Sequence, residues 1–238
     1  MSTTEGAGVA QLLVSLQLSD SAFPSGFYAM SHGLEGFLQR GVVDRDTVFE
    51  LLDDMLVQTV GPGDATALAR AHGFAARREW DEVAELDRQL FASKLSSELR
   101  VASTRSGRQL ADIAGETFAG TRGGDDIATW AQRVKARQTP GCQAIVTGVC
   151  YAATGVPMTQ AVVSDLFAFA VSFAGAALRL RLTDHRTTQV LLRRIQPTIE
   201  AVAADAVARP ASDIGGFTPV GDIMSAAHER ADARLFTS

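Results

Sequence analysis

Apolar and polar positions alternate at helical spacing along most of the chain. Leu12, Leu13 and Leu16 share a face ahead of a turn at Pro24. Leu34, Phe37 and Leu38 share one after it, closed by Gly41. Val48, Leu51, Leu52, Met55 and Leu56 form the next stripe, with Asp46 as the expected N-cap. Gly61-Pro62-Gly63 is expected to stop that helix, because proline offers no N–H and crowds the preceding turn. Asp64 is then the expected cap of a helix from Ala65 to about Arg78. Val83, Leu86 and Leu90 mark another. Ser96 or Ser97 opens a helix through Leu99, Leu110 and Ile113 to about Phe118. The glycines of Ala119 to Asp125 read as a loop, and Ile127 to Arg137 as a helix broken by Gln138-Thr139-Pro140-Gly141.

Ile145 to Tyr151 has strand propensity, but its alanine neighbours favour a helix. After Gly155-Val156-Pro157 comes a long apolar run, Thr159 to Leu178, whose only charge is Asp165. That length matches a bilayer. Asp165, Ser164, Ser172 and the many small residues instead favour the buried centre of a helical protein. Thr183 or Asp184 starts the next helix, and Pro197 kinks or divides it. Arg209-Pro210 to Gly221 is a loop, and Asp222 caps a last helix to about Leu235. The expectation is a single all-α domain over 1–238, of about ten helices around a buried apolar central helix, with 1–8 flexible.

The turn at Pro24 is unusually aromatic, with Phe23, Phe27 and Tyr28 around Pro24 and Gly26. Chain reversal needs no rings, so these either fill the local core or meet a partner. Its sequence, S-D-S-A-F-P-S-G-F-Y (Ser19 to Tyr28), is followed by S-H-G-L-E (Ser31 to Glu35). The C-terminus reads H-E-R-A-D-A-R-L-F-T-S (His228 to Ser238), and the middle carries S-K-L-S-S-E-L-R-V-A-S-T-R-S-G-R-Q-L (Ser93 to Leu110). Together, and in this order, these stretches resemble the UreF family of urease accessory proteins.

That resemblance implies a non-enzymatic assembly factor. It would bind a UreD/UreH-type accessory protein on apo-urease, recruit a UreG-type GTPase, and help deliver nickel to the metallocentre, with a homodimer as a family tendency. No cofactor would be held stably, and nickel would be handled transiently in the complex. The resemblance assigns partner binding to the tyrosine of the turn, Tyr28, and to His228, Glu229, Arg234, Leu235 and Phe236 at the C-terminus, within a docking element over 222–238. Phe27, His32 and Glu35 complete the candidate partner surface. The chain departs from the family where a histidine is frequent: Met30 stands in the turn, and Cys142 stands near a second such position. The turn after the long helix reads T-D-H-R-T-T-Q (Thr183 to Gln189). No metal ligand is therefore assigned.

Read as residues alone, His32 and Glu35 lie three apart at a helix start and could share a metal or a hydrogen bond, with a structural or surface role favoured over metal binding. His228-Glu229-Arg230-Ala231-Asp232 invites comparison with H-E-x-x-H, in which two histidines one turn apart hold zinc. Here Asp232 replaces the second histidine, so a small helical metalloenzyme using His228, Glu229 and Asp232 is the alternative reading. There is no G-x-x-x-x-G-K-[ST] loop and no G-x-S-x-G elbow.

The remaining numbers narrow the classes. The 238 residues carry a formal charge of −5 with both signs interspersed, which argues against a nucleic-acid footprint. Cys142 and Cys150 on one helix would stand about 12 Å apart along its axis, too far for a disulfide. The first residues, M-S-T-T-E-G-A-G, show neither a basic start nor an apolar core of a signal peptide, so the expected location is cytoplasmic, with no membrane partner.

Overall fold

The structure is a computed structural model, and it describes residues 3–24 and 30–216, with backbone only for 3–7. It is all-α, three-quarters helical, and no strand occurs among the described residues. The α-helices are α1 (Thr3–Ser19), α2 (Leu34–Gln39), α3 (Val48–Met55), α4 (Thr66–Ala76), α5 (Trp80–Ser93) and α6 (Ser97–Thr117). They continue as α7 (Gly124–Lys135), α8 (Gln143–Ala153), α9 (Met158–Arg179), α10 (His185–Arg194) and α11 (Gln196–Ala208). A π helix, Leu56–Ala65, joins α3 to α4, and a 3-10 turn, Ala211–Asp213, follows α11.

The core forms where alanine and glycine let backbones approach. Ala67, Ala71 and Leu68 of α4 are fully buried against α8, whose residues from Gln143 to Tyr151 are all buried. At Gly148 of α8 a Cβ would lie 2.6 Å from the Leu68 carbonyl oxygen, so no larger residue allows this approach. α6 covers another side of α8, and α9 packs against α11, α1, α10 and α4. The long apolar helix thus sits in the core, with Leu166, Ala170, Phe173 and Ala177 buried, but only half of it is enclosed. α8 is the more completely surrounded of the two.

Local departures from the sequence reading have simple causes. Gly61-Pro62-Gly63 does not stop the helix. The turn widens to π geometry, which accommodates a proline with no N–H to offer the preceding turn, and α3 runs on into α4. The Thr66 hydroxyl donates to the Gly61 carbonyl at 2.8 Å and helps satisfy the widened turn. Asp64 therefore caps nothing; its carboxylate accepts both short contacts from Lys94 Nζ, each 2.8 Å. Asp46 is not the cap of α3 either. Thr47 holds the N-cap position, while Asp44 accepts from the backbone N–H groups of Asp46 and Thr47.

Pro197 divides its helix: α10 ends at Arg194 and α11 starts at Gln196, with the proline in the first turn, where its missing N–H costs nothing. Asp184 caps α10 through the N–H groups of Arg186 and Thr187. The proposed last helix from Asp222 lies outside the described residues.

Candidate functional site

Two cavities adjoin within the helical body. The larger encloses about 660 Å³ between the α2–α3 region, the π helix, the start of α6 and α9; the smaller, about 160 Å³, lies between α8, α9 and the end of α1. Gln143 and Asp165 line both. Gln143 is the first residue of α8, held there by the buried Asp87 carboxylate. Asp87 accepts from Thr139 Oγ1 at 2.5 Å and from the N–H groups of Gly141 and Cys142 at 2.6 and 2.8 Å. The amide of Gln143 then donates to Asp165 Oδ1 at 3.0 Å and to Thr147 Oγ1 at 2.8 Å.

Asp165 is the lone charge of the apolar run. Burial pushes its carboxyl up to about 6; the Gln143 hydrogen bond opposes the rise, and the Asp64 charge adds to it. Its accessible surface opens into the two cavities. His32 also lines the larger cavity. Its backbone is left-handed, φ 53°, a conformation costing a non-glycine residue of order 1 kcal/mol. Its buried ring shares a 2.8 Å hydrogen bond with Ser172 Oγ of α9 and lies 4.5 Å from the Phe169 ring. Burial lowers His32 to about 4, against a smaller upward pull from Asp64, while the Arg179 charge adds to the lowering; the imidazole is neutral at pH 7.

The structure thus places two of the sequence-derived candidates, and both are interior. Glu35, three residues on, is also buried and accepts from Gln39 at 3.5 Å. The pair is buried rather than presented on the surface. Among the described residues no group of three or more His, Cys, Asp and Glu is placed to hold a metal. Phe27 and Tyr28 lie outside the described residues, as do His228, Glu229, Asp232, Arg234, Leu235 and Phe236. Cys142 and Cys150 are free and buried. Burial pushes Cys150 up to about 12 and Cys142 higher still, so neither is a thiolate at neutral pH.

Sequence reasoning did not identify the Gln143–Asp165 pair as part of a site. Its one signal was present: a single carboxylate inside twenty otherwise uncharged residues needs a polar partner. The Lys94–Asp64 pair on the wall of the larger cavity left no such signal, since its partners are 30 residues apart.

Comparison with known proteins bears on the whole chain. The model of the UreF family matches residues 42–196. A urease accessory protein UreF of Arthrobacter sp. is 34% identical over 235 residues, covering 98% of this chain and 99% of the relative. The urease accessory protein UreF 2 of Brucella canis is 29% identical over 226 residues, covering 94% and 91%. UreF of Trichodesmium erythraeum is 28% identical over 231 residues, covering 97% and 98%. A family match across the α3–α10 core, with relatives aligned nearly end to end, shows that the chain belongs to the UreF family of urease accessory proteins.

Proposed function

We propose that this chain is a non-enzymatic scaffold for urease maturation in the cytoplasm. It binds a UreD/UreH-type protein on apo-urease, recruits a UreG-type GTPase, and so helps nickel reach the metallocentre. Nickel passes through the complex transiently, and no cofactor stays with the chain. The observation that carries this reading is the end-to-end likeness to urease accessory proteins, 34% identical over 98% of the chain in one case. The interior character of His32 and Glu35 shifts the expected docking surface onto Phe27, Tyr28 and the segment His228 to Phe236. His32 and Glu35 then support that surface from within.

Homodimerisation belongs to the same proposal. What supports it is an uncovered apolar stripe on α1, formed by Val9, Leu12, Leu13 and Leu16, each about half exposed or more. Each is already about half covered in the monomer, so burying the remainder stabilises an assembly by about 1 kcal/mol per side chain, and a paired stripe still sums to a substantial driving force.

The test is the nickel content and activity of urease matured with and without this chain, all other accessory proteins being held constant. Nickel-poor, inactive urease in its absence is expected. Tyr28→Ala and Arg234→Ala should leave the helical signal of the chain intact and reproduce that loss. Equal nickel and equal activity without the chain would remove the proposal.

A further inference from the structure

The larger cavity has the size and lining of a small-molecule site. Its volume is about 660 Å³, within the range of about 300–1,000 Å³ common for such sites. Phe37, Leu51, Met55, Leu99 and Phe169 give it apolar walls. Its charged lining is unequal: the carboxylates of Glu50, Asp54, Asp64 and Asp165 stand against a single ammonium, Lys94. His32, neutral at pH 7, adds no charge.

Lys94 is already engaged. Its Nζ donates to both oxygens of Asp64 at 2.8 Å, so the described lining offers no unpaired cation to an acidic ligand. The other three carboxylates have no cation of their own. Glu50 and Asp54 are exposed one turn apart on α3, where like charges repel, and neither forms an ion pair among the described residues. Asp165 Oδ1 accepts from Gln143 at 3.0 Å, and Oδ2 accepts no hydrogen bond among the described residues. Burial raises this carboxyl and the Asp64 charge raises it further; the Gln143 bond opposes the rise, and no cation does.

The cavity is therefore negative at its exposed edge, apolar along its walls and open at a carboxylate oxygen inside, an arrangement that draws in cations. A bare divalent ion fits it poorly. Among the described residues no three His, Cys, Asp and Glu converge, and apolar walls cannot replace the water such an ion gives up. An organic ammonium brings its own donor protons and its own apolar surface. Phe169 lies one turn along α9 from Asp165 and supplies a ring beside that carboxylate.

We propose that the larger cavity binds a small amphipathic amine, its ammonium donating to Asp165 and its apolar body lying against Phe169 and the neighbouring walls. This is a property of the lone chain and does not rest on the urease reading.

The experiment is isothermal titration calorimetry of the full chain at pH 7 with three probes of one shape: naphthylethylamine, naphthylethanol and naphthylacetate. The amine should bind about tenfold tighter than the alcohol, because a charge-assisted hydrogen bond replaces a neutral one, and the acetate should bind weakest. Asp165→Asn keeps an oxygen for Gln143, so the helical signal should persist while the amine falls to the affinity of the alcohol. Glu50→Gln with Asp54→Asn, both exposed, should weaken the amine and leave the alcohol unchanged. Those two line only the larger cavity, so a loss with Asp165→Asn but none with this pair would move the site to the smaller cavity and overturn the proposal. An amine no tighter than the alcohol, a tighter acetate, a preference that survives Asp165→Asn, or no binding by any probe would overturn it as well.

Discussion

Asp165 and His32 are a partly buried acid and a buried base lining one cavity, and burial displaces them in opposite directions. The folded Asp165 carboxyl, at about 6, lies above its ordinary 3.8, so the folded chain holds that proton to higher pH than the unfolded chain does. Its contribution to stability is complete below pH 3.8 and lost as pH rises through 6. The folded His32, at about 4, lies below its ordinary 6.5, so the unfolded chain takes up the proton first. Its contribution is complete above pH 6.5 and lost as pH falls through 4. Each swing is about 3 kcal/mol in full, and between pH 4 and 6 the two slopes oppose. Urea midpoints between pH 4 and 7 test this by difference from the unmodified chain. Asp165→Asn should gain stability at pH 7 and lose that gain as pH falls to 4. His32→Asn, which tolerates the left-handed backbone, should gain relative stability as pH falls over the same range. Difference profiles that are flat for both variants would mean that neither group is buried as described.

At the scale of elements, the most exacting piece is the loop from Thr139 to Cys142, because α8 has to enter the core at a fixed place. Asp87 of α5 holds that loop by three donors, inaccessible to water. Asp87→Ala would leave two buried backbone N–H groups unpaired and should cost about 3 kcal/mol or more by urea unfolding. Asp87→Asn keeps one accepting oxygen and should fall between. A loss below about 0.5 kcal/mol for the alanine would show that the loop is held by something else. The same comparison shows what the sequence could and could not tell. Periodicity located α5, α6, α8 and α9 within a few residues, since each has an apolar face or is apolar throughout. It failed at Gly61-Pro62-Gly63, where composition says stop, because the tertiary setting satisfies a widened turn through the Thr66 hydroxyl and the Gly215 N–H. Asp46 and Asp64 were misassigned for a related reason. A carboxylate near a helix start has equally good local and distant partners, and only the fold decides that Asp64 faces Lys94. The family motifs named the aromatic turn and the C-terminal segment, yet nothing in them marked His32 and Glu35 as interior, since spacing alone does not tell which face α9 covers.

For the whole molecule, the two faces of α1 are the informative contrast. One docks onto the body, with Val14 and Leu18 against the core, Gln11 Nε2 donating to the Gly155 carbonyl at 2.6 Å and Gln160 Nε2 donating to Ser15 Oγ at 3.0 Å. The other exposes Val9, Leu12, Leu13 and Leu16 in one row. The sequence reading saw the leucines as one apolar face; the structure turns that face outward. No fold requires a row of leucines in water, and isolated exposed leucines are common whereas a contiguous helical stripe marks an interface. A second copy satisfies it without further components, through a two-fold pairing of α1 with α1. Leu13→Glu with Leu16→Glu sets like charges on both sides of that pairing and removes its apolar area. Since both side chains are exposed in the monomer, the change should alter unfolding stability by no more than about 0.5 kcal/mol. Sedimentation velocity should therefore show a dimer for the unmodified chain at tens of micromolar and a folded monomer for the double variant. A dimer that survives both glutamates would locate the self-association elsewhere. A monomer before any substitution would leave the stripe to a different protein, with the UreD/UreH-type partner the first to test by co-sedimentation.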